Sequence, residues 1–178
     1  MRNNESSGTL NRFFAGITEY VFEARLGVAD PPLVDYLTDM LLRFLRTDGL
    51  NRVRNPRGAP MLEVVDMLTE AEKRVGLARR EVHQHIGDIT LFRIGVFPES
   101  LERLQSVERK DYFINYCSQG KRAYQIAGSI DTDRQEDAQP EVLHRLSNLF
   151  ELCAYGLGEV RREWEQRDED GPRTLLVQ

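Results

Sequence analysis

His85 and Asp88 lie three residues apart in the run 82-VHQHIGDITLFRIGVFPES-100, in line with Ile89, Phe92 and Val96 on the apolar stripe of a predicted helix. A histidine and a carboxylate on such a stripe are costly to bury unless something pairs with them. At this spacing the two side chains can meet directly. A carboxylate that accepts from an imidazole fixes its tautomer and favours its charged form, the device that orients catalytic or metal-bound histidines. The same pair also serves as a structural staple that satisfies two core polar groups, and the staple is the preferred reading. A second polar group, Tyr116, Lys121 and Tyr124, shares an interior face with Cys117, Gly120, Ala123 and Ala127. Small residues at these spacings let another helix approach closely. The two groups are expected to form one network in which Asp88 meets Lys121 or a tyrosine hydroxyl. The candidate binding residues are therefore His85, Asp88, Tyr116, Lys121 and Tyr124.

Other constellations carry less. Glu141-x-x-His144 has the spacing of one arm of a ferritin-like di-iron site, which needs a second such motif and two further inward carboxylates. No second Glu-x-x-His occurs, so a solvent-facing pair is expected. Cys117 and Cys153 lack the spacing of a zinc site and read as buried thiols in a reducing compartment. Glycine-rich phosphate loops, GxSxG and HExxH are absent, and neither a metal nor a cofactor is expected. Arg43, Arg46, Arg52, Arg54 and Arg57 cluster around a turn with only Asp48 as counter-charge, either an anionic-ligand contact or solvated basic residues.

The formal charge of −5, from 24 basic and 29 acidic side chains, argues against general nucleic-acid binding. A length of 178 residues suits one domain with a single core. No apolar run approaches the roughly 20 residues that cross a bilayer. The start, MRNNESSGTLNRFF, lacks a cationic segment followed by an apolar one, so no secretory signal is expected and a cytoplasmic location is.

The elements that must position these residues are all helical. Leu10, Phe13, Phe14, Ile17 and Val21 form the first stripe, ended by Gly27. Asp30 and Pro31 open a second helix carrying Val34, Leu37, Leu41, Phe44 and Leu45, closed by Gly49, with Arg43 and Arg46 in its last turn. Residues 51–60 read as a loop. Helical pattern from Pro60 to Phe97 would span about 57 Å as one helix, against roughly 40 Å for a domain of this size. Gly76 is the predicted break, giving helices near 60–75 and 77–95. Pro98 and Glu99 start a short helix through Leu104, and another is predicted from about Asp111 to Ala127. After the acidic loop 131–139, Pro140 opens the last helix. There Leu143, Leu146, Phe150, Cys153, Leu157, Val160 and Trp164 alternate steps of three and four, a coiled-coil-like seam. Such a seam packs along an antiparallel neighbour or forms a homodimer; self-association through Leu146, Phe150, Leu157, Val160 and Trp164 is the expected partner contact.

Two resemblances arise. Arg80-x-x-x-x-His85 resembles the active-site motif of HEPN-type ribonucleases, compact helical and often dimeric proteins. The resemblance implies that Arg80 and His85 would handle phosphate charge and proton transfer at a 2′-hydroxyl. Separately, Gly87, Asp88, Leu91, Phe92, Gly95, Phe97, Pro98 and Glu99, with Tyr116, Gly120, Lys121, Ala123 and Tyr124, resemble two signature blocks of an all-helical bacterial family. That resemblance implies no activity. The resulting expectation is an all-α, irregular single-domain bundle of about six or seven helices over 1–166, with a charged tail at 167–178. The expected function is non-catalytic binding or interaction in the cytosol. The rivals are a HEPN-like ribonuclease and a small-ligand or metal pocket at His85 and Asp88.

Overall fold

The computed structural model describes residues 2–45 and 52–168, with side chains over 8–45 and 52–167. Arg46, Asp48, Gly49 and the tail beyond Asp168 lie outside the described residues. Within them the chain is an all-α bundle of eight helices: α1 (Arg2–Glu19), α2 (Pro31–Leu45), α3 (Val64–Lys73), α4 (Gly76–Gly95), α5 (Glu99–Leu104), α6 (Tyr116–Gly128), α7 (Pro140–Asn148) and α8 (Phe150–Asp168). A π-helical turn, Tyr20–Arg25, extends α1, and a 3-10 turn, Lys110–Phe113, precedes α6. Among the described residues, extended pairing is confined to one bridge, Arg54 to Pro60. None of the described helices is long and apolar enough to cross a membrane.

Punctuation explains most boundaries. Gly27 and Gly76 adopt positive φ (69° and 56°), a conformation that costs other residues a Cβ clash, and they end the first helical unit and break the 60–97 span. Asp30 accepts from the amide of Leu33 at 3.3 Å, capping α2. Three expectations are corrected. The third helix starts at Val64 rather than Pro60, because Pro60 is held in the bridge to Arg54. The sixth starts at Tyr116 rather than Asp111: Ile114 and Asn115 are extended, and the Asn115 side chain caps Ser118 at 2.9 Å. The predicted last helix is two, since the backbone turns at Leu149. That split accounts for eight helices against six or seven.

α4 is the central element. It was expected to bury one face, yet α2, α3, α6 and α8 surround it, and from Val82 to Phe92 every side chain is buried. This is why its apolar stripe is weak and why it carries Arg80, His83, Gln84, His85, Asp88, Thr90 and Arg93 into the interior. α6 lies closest to it. A Cβ at Gly87 would sit 2.6 Å from the Tyr124 ring, and one at Gly120 would strike the Thr90 hydroxyl of α4, so both glycines permit the approach. The α7–α8 seam packs inside the protomer. Leu146, Phe150, Leu157, Val160 and Trp164 are all buried within one chain, with Trp164 edge-on to Phe14 at 5.0 Å. These five residues therefore have no free surface with which to pair two copies.

Candidate functional site

Asp88 is fully buried, and both of its oxygens accept hydrogen bonds. Its Oδ1 accepts from the Tyr124 hydroxyl of α6 at 2.8 Å and from the Tyr36 hydroxyl of α2 at 2.6 Å. Its Oδ2 accepts from Nη2 of Arg43, also on α2, at 3.1 Å. The Gln84 side chain donates to the Tyr36 oxygen at 3.0 Å, and the Arg43 guanidinium lies 5.9 Å from the Tyr36 ring centroid. Gly87, the residue before Asp88, lets the Tyr124 ring rest on the α4 backbone, so its hydroxyl falls on the carboxylate. Burial first, and the neighbouring charge of Asp88 second, push both tyrosine hydroxyls well above the usual phenol range, so they act as donors. Burial alone would lower the Arg43 pKa, but the attraction of Asp88 outweighs it and holds the guanidinium charged.

His85 does not complete this rack. Neither of its ring nitrogens has a hydrogen-bond partner, although the residue is fully buried. Its ring lies 6.0 Å from that of Phe44. Burial lowers its pKa to about 4; Asp88 opposes the shift, while Arg52, Arg43 and Arg93 add to it. It is a neutral imidazole without a hydrogen-bond partner, and the expected direct bond to Asp88 is not made. His83 is likewise buried with both nitrogens unpartnered, and burial with Arg79 and Arg122 lowers its pKa to about 4.

The expected single network separates into unconnected parts. Tyr124 joins Asp88. Tyr116 belongs to a second buried cluster, where its hydroxyl donates to Asp111 at 2.5 Å and accepts from Arg93 at 3.2 Å. Asp111 also accepts from the amides of Val64 (2.8 Å) and Val65 (2.9 Å), capping α3 from 47 residues away, and Arg93 donates to the Leu62 carbonyl at 2.7 Å. Lys121 is outside both clusters, paired at the surface with Glu151 at 2.6 Å, because its position on α6 faces α8 rather than α4. Arg80 is buried and committed to carbonyls of the 130–138 loop, donating to Ile130 at 3.1 Å and to Ala138. His144 is half-buried against Gly128, and no group of three metal-ligating side chains occurs among the described residues.

The rack has an open side. Tyr36, Arg43 and Gln84 form one wall of a cleft of about 570 Å³, closed by the loop at 136–139 and by Asn11, with Asp35, Asp39 and Arg52 on its rim. Sequence reading missed Tyr36 and Gln84 and placed Arg43 in an arginine cluster that either contacts an anionic ligand or is solvated. The available signal was Pro32, Tyr36 and Arg43 recurring down one side of α2 beside its apolar stripe. No family model, no curated protein and no solved structure matches the chain. The two sequence blocks running from Gly87 to Glu99 and from Tyr116 to Tyr124 lie on α4–α5 and on α6, and they meet where Gly87 contacts Tyr124.

Proposed function

We propose that the protein binds a small polar ligand in the cleft outside the Asp88 rack, without catalysing its conversion. One observation carries the reading: the three outer members of a sealed carboxylate network, Tyr36, Arg43 and Gln84, are the wall of an open cleft. A buried charge that fixes a wall residue pre-organises it, which lowers the ordering cost of binding. The cleft volume falls within the range of small-molecule sites. Binding is favoured over proton transfer because the two buried imidazoles are weak bases and neither borders the cleft. A cytoplasmic location belongs to the same proposal, supported by the unpaired thiols of Cys117 and Cys153.

Ligand-observed NMR with a library of polar metabolites tests it. Asn11 is exposed on the cleft rim, so Asn11→Trp should block entry and leave the fold intact. Ligands that bind the parent and lose their signal with this variant support the proposal. Binders that are indifferent to Asn11→Trp, or none at all, refute it.

A further inference from the structure

Asp39 and Arg43 stand one turn apart on α2, acid first, the order in which a helical ion pair forms most readily. They do not pair. Arg43 turns inward to Asp88, and Asp39, exposed on the same cleft, makes no ion pair among the described residues. The cause is the competing carboxylate: Asp88 is fully buried, where a charge interaction is screened far less than at the surface. The wall thus holds opposite charges apart. Asp88 engages Nη2 of Arg43, and with 34% of that side chain still exposed the guanidinium keeps donors for a ligand. Arg52 adds a second exposed guanidinium, and Asp35, a further turn toward the start of α2, a second exposed carboxylate. A simple anion here meets the carboxylates, and a simple cation meets the arginines. A ligand with both charges held a few bonds apart satisfies each side.

Given the ligand-binding reading of this cleft, we propose that it takes an amino-acid-like zwitterion, its carboxylate on Arg43 and Arg52 and its ammonium on Asp39. The test is calorimetric titration of the full chain at pH 7.5 and low salt with each of the twenty common L-amino acids. The tightest binder is then compared with its N-acetyl and its carboxamide forms. Either modification should weaken binding at least tenfold. Asp39→Asn, a conservative change at an exposed position, should weaken the amino acid at least tenfold and close most of the gap to the N-acetyl form. Absence of binding by every amino acid overturns the proposal. So does tight binding of the N-acetyl form, or an affinity untouched by Asp39→Asn. The general reading of the cleft survives those results wherever polar metabolites of another charge type still bind and are blocked by Asn11→Trp. It falls with the zwitterion only when nothing binds there.

Discussion

Asp88→Ala removes the carboxylate on which α2, α4 and α6 converge. Removing one partner of a buried ion pair costs about 3–5 kcal/mol. The lower end applies here, because Arg43 is one-third exposed and can turn to water. Tyr124 cannot. Its hydroxyl is fully buried with Asp88 as its hydrogen-bond acceptor, and an orphaned group of this kind costs about 1–3 kcal/mol by itself. Asp88→Ala should therefore cost about 3 kcal/mol, lowering a urea midpoint by roughly 1.5 M for a slope of about 2 kcal/mol per M. Tyr124→Phe in the parent should cost about 1 kcal/mol. In the Asp88→Ala background it should cost nothing or stabilise, since it deletes the orphaned hydroxyl, giving a coupling of about 1–2 kcal/mol. Lys121→Ala is the control and should leave the midpoint unchanged, because its Glu151 partner lies at the surface. Additive effects of Asp88→Ala and Tyr124→Phe, or a midpoint loss at Lys121→Ala as large as at Asp88→Ala, would refute the rack.

The buried imidazoles predict an acid limb. With folded pKa values near 4 against an ordinary 6.5, the unfolded chain takes up the protons first, so stability is complete above about pH 6.5 and falls as pH drops toward 4. His85, the more deeply buried of the two, contributes up to about 3 kcal/mol to this loss, and His83 less. The double variant His83→Phe, His85→Phe should flatten urea stability measured across that window, and an unchanged slope would mean that the imidazoles are not held neutral. Asp111→Ala uncaps α3 and orphans Tyr116, for about 2–4 kcal/mol, and hydrogen exchange should quicken first at Val64 and Val65. Gly87→Ala, which pushes a methyl into the Tyr124 ring, should cost about 1–3 kcal/mol by calorimetry. Leu157→Glu, placed in the core rather than on a free seam, should unfold the chain by circular dichroism; a folded variant of lower mass in light scattering would instead restore the seam as a dimer contact.

Helix positions were legible because their signals are local. Glycines at positive φ, an Asp-Pro start and apolar spacing each act within a few residues, and they placed the breaks at Gly27 and Gly76. One boundary that failed depends on a distant partner. α3 begins where Asp111 supplies a cap from 47 residues away, and periodicity at Val64 carries no trace of it. The spacing over Leu143–Trp164 predicts an apolar seam, but spacing alone does not distinguish a partner in the same chain from one in another, and the partner expected in a second copy is found within one. Here Phe14 and Phe22 of the first helical unit cover that part of α8, the latter directly on Gly156.

The polar residues show the same division. Asp88 and Tyr124 were recognisable because each interrupts an apolar face, and interruption is a local property. Their remaining partners were not, because Tyr36 and Arg43 lie 52 and 45 residues before Asp88 on a helix where both look like ordinary flank residues. Sequence reasoning framed Asp88 as either sealed architecture or an open site, and the geometry removes that choice. The carboxylate is sealed, yet two of its three donors reach a cleft, so its charge fixes the wall without touching what the wall contacts. The two roles separate experimentally at Arg43. Arg43→Gln leaves Asp88 buried with two tyrosine donors but no counter-charge, and should lose stability. Asp39→Asn, one turn away on the same wall, should keep full stability and change only what the cleft holds.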